Sequence, residues 1–108
     1  MEGKASMPKQ KVAEVAILKD GRINILLPTE DVDLTLQELD RELLELCGNT
    51  GICFTAEEMN NKFVITSLLP LKETGEKSLR DSEVLKKILD ILEADDIAFS
   101  GDAAHYQP

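Results

Sequence analysis

The chain has 108 residues, with 12 Lys or Arg against 21 Asp or Glu, a formal net charge of −9. Hydrophobic residues make up 43% and charged residues 31%, which suits one domain with a modest core and excludes global disorder. No apolar run approaches the ~20 residues of a membrane span. The polar first ten residues lack the apolar stretch of a secretory signal, and two cysteines are too few for a disulfide framework, so a cytoplasmic protein is expected.

Residues 1–11 hold three Lys, one Glu and a Pro, and are expected to form a flexible basic arm ahead of a single domain over 12–99. Val12 to Leu27 patterns as a β-hairpin around Asp20-Gly21, a dipeptide that favours a two-residue type I′ turn. That turn would pair Leu18 with Ile23, Ala16 with Ile25 and Glu14 with Leu27, making their shared face the core face. Val15, Ile17 and Leu26 would then lie on the opposite face, partly apolar and open to a partner. Pro28 ends the hairpin.

Thr35-Leu36-Gln37-Glu38 has the form of a capping box, with Leu34 and Leu39 spaced as a hydrophobic staple. The helix it starts is expected over 36–47, with Gly48 as its C′ residue. Leu36, Leu39, Leu43, Leu46 and Cys47 share its inner face at helical spacing. Gly51 to Leu69 patterns as a second hairpin turning at Asn60-Asn61, because Asn tolerates positive φ. Its core face would hold Ile52, Phe54, Ala56, Phe63, Ile65 and Leu69. Residues 71–81 are expected to be a polar loop, and Ser82 to cap a second amphipathic helix over 83–94. Ile97-Ala98-Phe99 suits either a short edge strand or a segment docked on a helix, and 100–108 a tail. The order is ββαββα: an α+β fold with two antiparallel hairpins and two helices packed on one face of an antiparallel sheet. Both hairpins end in Leu-Leu-Pro, at 26–28 and 68–70, which fits an internal duplication, convergence or chance.

Recognisable catalytic chemistry is missing. His105, the lone histidine, stands near the C-terminus without a sequence neighbour to position it. The glycines form no phosphate-cradling run and no nucleophile elbow. Asp31, Asp33, Thr35 and Glu42 match four positions of a calcium loop, but Leu36 occupies the place that requires glycine. Asp95, Asp96 and Asp102 suit a solvated acidic end better than a metal site. Cys47 and Cys53 are expected to be buried thiols, with a disulfide or a redox role as the alternatives. No cofactor, metal or catalytic residue is assigned.

Charge, by contrast, is unevenly laid out. Residues 1–29, 30–58, 59–87 and 88–108 carry net +2, −8, +2 and −5. On the first helix Glu38, Glu42 and Glu45 fall on one outer face at i, i+4 and i+7, and Asp95 and Asp96 add a second acidic cluster. Either is a solvated surface or a binding face for a basic protein. With only three Phe, one Tyr and no Trp, direct nucleic-acid binding is not expected.

The run of a leucine-rich helix (Leu36–Cys47), a Gly-led hairpin ending in Leu-Pro (Gly51–Pro70), a polar loop (Leu71–Asp81) and an amphipathic helix (Glu83–Glu93) resembles the type III secretion chaperones. Those proteins have a helix and usually three strands before the first of these elements, where this chain offers a basic arm and two strands. The resemblance implies a homodimer that holds an extended segment of a protein partner along its sheet. The function expected is that of a non-enzymatic, acidic protein-binding module, chaperone- or adaptor-like. Its candidate partner-binding residues are Glu38, Glu42, Glu45, Asp95 and Asp96 on the acidic faces and Val15, Ile17 and Leu26 on the hairpin face. The alternative is an acidic nucleic-acid mimic that inhibits a DNA- or RNA-binding protein, as phage-type regulators do.

Overall fold

The computed structural model describes residues 10–71 and 75–99. Strands β1 (Val12–Ile17) and β2 (Ile23–Pro28) form the first hairpin. A single 3-10 turn (Thr29–Asp31) leads to helix α1 (Leu36–Thr50). Strands β3 (Phe54–Met59) and β4 (Lys62–Ser67) form the second hairpin, followed by helices α2 (Glu76–Arg80) and α3 (Glu83–Leu92) and strand β5 (Asp96–Phe99). The five strands make one sheet in the order β3-β4-β2-β1-β5. All neighbours are antiparallel except β1 and β5, which run parallel. The fold is α+β as expected. It differs in two particulars: the sheet is mixed, and a third helix lies inside the expected 71–81 loop; of the two readings for Ile97-Ala98-Phe99, the edge strand is the one that forms.

The first hairpin shows how a turn sets a face. Gly21 N–H donates to Leu18 O at 3.0 Å and Leu18 N–H to Arg22 O at 2.8 Å, so the loop is Lys19-Asp20-Gly21, three residues long. Gly21 sits at φ +91°, the left-handed bulge position that follows a tight turn in such loops. Asp20 holds the loop by accepting from Arg22 N–H at 3.0 Å and from Arg22 Nε at 2.8 Å. Val15 consequently faces Ile25, and Ile17 faces Ile23. This is one residue from the register of a two-residue turn, and one residue turns a strand over. Ala13, Val15 and Ile17 therefore point into the core, while Val12, Glu14 and Ala16 occupy the outer face. The second hairpin keeps its expected two-residue turn, with Asn60 and Asn61 both at positive φ and Phe54, Ala56, Phe63 and Ile65 on the inner face. Leu69 lies beyond β4 and is 74% exposed, so it is not a core residue.

The three helices cover one face of the sheet. Leu39, Leu43 and Leu46 of α1, Leu79 of α2, and Leu85, Ile88 and Leu92 of α3 join Val15, Ile25, Phe63, Ile65 and Ile97 in a single buried cluster. Each such leucine taken from water contributes about 1.5–3 kcal/mol. Leu79 explains α2: this one apolar anchor draws five residues onto the core from an otherwise polar segment. Among the described residues, no helix covers the sheet's other face. The two Leu-Leu-Pro runs are not equivalent, since 26–28 lies within β2 and 68–70 follows β4.

A candidate protein-binding surface

The capping box of α1 forms as its sequence requires. Thr35 Oγ1 accepts from Glu38 N–H at 3.1 Å, and Glu38 Oε1 accepts from Thr35 N–H at 2.9 Å. This places the calcium-loop look-alike at a helix start. Among the described residues, no three His, Cys, Asp or Glu side chains form a metal-holding group, and no helix is long and apolar enough to cross a membrane. His105 lies outside the described residues, as do the tail and all of the arm but Gln10 and Lys11.

The structure divides the expected acidic residues by role. Glu38 is engaged in the cap. Asp95 Oδ2 accepts from Lys11 N–H at 2.8 Å, tying the start of the domain to its end. Asp96 Oδ1 accepts from Ile97 N–H at 2.7 Å and stands 3.9 Å from Arg80 Nη1. Arg80 also lies over the Phe99 ring, 5.2 Å from its centroid, so α2 holds down β5. Glu42 and Glu45 alone remain on an outer helix face with no ion pair among the described residues. Helix α1 packs on β3, at the sheet edge opposite β5. Four strand spacings of about 4.8 Å separate those edges.

The expected hairpin face does not assemble. Val15 is 0% exposed in the core and Ile17 packs against that core from the same side. Leu26 alone lies on the outer face, opposite Val64 of β4 and Glu14 of β1. A small hollow there is lined by Val12, Glu14, Leu26, Pro28 and Lys62.

A larger apolar surface lies at the end of the molecule where α1 passes into β3. Helix α1 does not stop at Gly48. It runs through Gly48 and Asn49 to Thr50 and ends on Gly51 at φ +79°, with Gly51 N–H donating to Cys47 O at 2.8 Å. Thr50 Oγ1 donates to Leu46 O and accepts from Ile52 N–H, bracing the exit. Cys47 and Cys53 form a disulfide, with their Cα atoms 4.5 Å apart. The expectation of free thiols is thereby corrected. One cysteine ends the inner stripe of α1 and the other precedes β3, and the reversal at Gly51 brings them within bonding range.

Cys53 O accepts from Leu68 N–H at 2.9 Å, which places the segment after β4 beside the disulfide. The result is a hollow of about 340 Å³ lined by Gly51, Ile52, Cys53, Leu68, Leu69, Pro70 and Leu71. It continues through Ile52, Pro70 and Leu71 into a second hollow of about 590 Å³, bounded by Leu79, Asp81, Ser82 and Val84. Leu68 is 52% and Leu69 74% exposed. Another exposed leucine, Leu44, stands one helical turn before Cys47. Pro70 is fixed from behind: its Cβ would lie 3.1 Å from any Cβ at Gly21, and Leu71 N–H donates to Gly21 O. Sequence patterning missed this surface because it assigned Leu69 to the core face, whereas Ile52 does pack against the core. A leucine pair between the end of a strand and a proline was the available signal.

No protein-family model, curated protein or solved structure matches the chain.

Proposed function

We propose that the chain is a non-enzymatic protein-binding module, chaperone- or adaptor-like, that takes an apolar, basic segment of a protein partner in the hollow beside the disulfide. The observation that carries this reading is the solvent-exposed pair Leu68-Leu69 over a hollow formed by Ile52, Cys53, Pro70 and Leu71. Exposed apolar side chains gathered around a concavity mark a surface made to be covered. Charge supports the choice of partner. A protein of net charge −9 draws basic segments and repels acidic ones, while apolar contact supplies the retention.

The test is capture of partners from a lysate of the native host at low and high salt, with three baits: the unaltered chain, Leu68→Ser/Leu69→Ser and Glu42→Lys/Glu45→Lys. A partner retained at high salt by the unaltered chain and by the charge-reversed variant, and lost from the leucine variant, supports the proposal. A basic nucleic-acid-handling protein that leaves at high salt, and that only charge reversal abolishes, would replace this reading with the nucleic-acid mimic. The homodimer implied by the chaperone resemblance is read separately, from the molar mass in solution.

A further inference from the structure

We infer that the Cys47–Cys53 bond is a redox-responsive clip that sets the shape of this hollow, so that thiol–disulfide exchange regulates what the hollow holds. The inference about regulation rests on the binding role proposed above; the clip itself is read without any partner.

The argument starts from the end of α1. Gly48 and Asn49 are poor helix formers, glycine because it loses the most backbone freedom there. Sequence preference alone ends the helix at Cys47 with Gly48 as its cap. The structure instead carries a further turn, Gly48–Thr50, and that turn lies wholly within the loop closed by the disulfide. Gly48 and Asn49 are exposed, and a Cβ at Gly48 would meet nothing within 4 Å, so tertiary packing does not hold this turn. The Thr50 hydroxyl and the Gly51 N–H brace it locally, and the clip is the covalent link that closes over it. Cys53, at the other end of the clip, supplies the carbonyl that fixes Leu68 N–H and forms part of the hollow's wall. Opening the clip therefore reaches the last turn of α1 on one side and Leu68-Leu69 on the other. Both cysteines are half-buried rather than sealed in the core, which leaves an approach for a small thiol.

The exchange is balanced with glutathione as the reductant class. One glutathione thiolate attacks a cysteine sulfur, the Cys47–Cys53 bond breaks and a mixed disulfide forms. A second glutathione attacks that mixed disulfide, releasing both cysteines as thiols and leaving one glutathione disulfide. Two electrons and two protons pass to the protein, and glutathione disulfide drives the reverse.

The test uses the full chain equilibrated in glutathione buffers of graded redox poise. Thiol alkylation and mass spectrometry count the free cysteines, and amide hydrogen exchange follows the backbone. The expected result is a reversible gain of two alkylated cysteines on reduction, with exchange at Gly51, Ile52 and Leu68 speeding up about tenfold or more beyond any uniform rise that Val15 and Ile25 show. The Cys47→Ser/Cys53→Ser variant should match the reduced protein in every buffer. A bond that fails to form under glutathione disulfide overturns the inference. So do equal exchange in both states and a rise in exchange that is no larger at those three amides than through β1 and β2, which would make the bond a general staple. Capture with oxidised and reduced bait completes the test. A partner that depends on Leu68-Leu69 yet binds both states equally overturns the regulation and leaves the binding role standing. Failure of the leucine variant to lose any partner, with the amides still responding, overturns the binding role and leaves the clip.

Discussion

Replacing Ser67 with alanine should cost more than its one oxygen atom suggests. Ser67 is 1% exposed, the only buried polar side chain among the described residues, and its Oγ accepts from Ile23 N–H at 3.0 Å. The Leu18–Arg22 bond closes the first hairpin, so by antiparallel alternation the next pair, Ile17 and Ile23, is not hydrogen-bonded and Ile23 N–H points away from β1 towards β4. The β2–β4 ladder begins only at Asn24 and Thr66. The Ser67 hydroxyl completes the ladder by one further bond. Ser67→Ala leaves a buried backbone N–H without an acceptor, which costs about 1–3 kcal/mol. For a domain of this size that corresponds to a fall in Tm of roughly 5–15 °C. The neighbouring Thr66→Val is the control. Thr66 Oγ1 donates to Asn24 Oδ1 at 2.8 Å on the outer, half-wet face, where water replaces the lost bond and the cost should stay below about 1 kcal/mol. Urea unfolding of both variants decides the matter. Equal losses, or a Ser67→Ala loss under about 0.5 kcal/mol, would refute the assignment of Ser67 as the acceptor that closes the sheet.

Gly21→Ala should destabilise by about 1–3 kcal/mol, because alanine pays for a left-handed conformation and its Cβ would press within 3.1 Å of Pro70 Cβ; thermal unfolding reads the loss, and an unchanged Tm would mean the loop tolerates another shape. Removing the disulfide by Cys47→Ser/Cys53→Ser should lower stability by about 2.4 kcal/mol, the chain-entropy value for a loop closed by cysteines six residues apart, measured against the oxidised protein in denaturant. Asp20 is held below the usual aspartate range, first by the backbone N–H of Arg22 and also by its guanidinium. A lowered folded pKa gives stability that is fully present above the ordinary value of about 3.9 and lost as pH falls through the folded one. The stability gap between the chain and Asp20→Asn should therefore be constant at neutral pH and close on acidification; a gap that widened in acid would reverse the sign assigned to Asp20.

Local chemistry was legible where a side chain met its own backbone. The Thr35–Glu38 box, the Ser82 cap of α3, the Asn60-Asn61 turn and the inner stripes of α1 and α3 all follow from short spacings. The face of β1 was not legible from its apolar residues, because Val12, Ala13, Val15, Ala16, Ile17 and Leu18 supply both faces. Glu14 was the discriminating residue: a parity that places it outside also places Ala13, Val15 and Ile17 inside. Asp20-Gly21 is compatible with two loop lengths, and the bond from Asp20 to Arg22 N–H selects the longer. The disulfide and the hollow beside it lie just past Gly48, where α1 was expected to have ended, so one misplaced helix end conceals the whole surface. Helix α2 was hidden for another reason, since a single leucine in five residues carries no period.

The parallel pairing of β5 with β1 has a consequence in time. Lys11 and Asp95, 84 residues apart, exchange hydrogen bonds at the rim of the sheet, and Val12 to Val15 aligns with Asp96 to Phe99. The last strand made is thus the neighbour of the first. Throughout synthesis, until β5 is available, β1 presents an unpaired and largely apolar edge, the kind of edge along which chains join one another. Contacts that span nearly the whole described length also close late, against the largest loop entropy in the fold. A chain stopped before Asp96 would keep its helices and both hairpins yet lose its guard strand, and its fate would be decided by how soon another β1 found it.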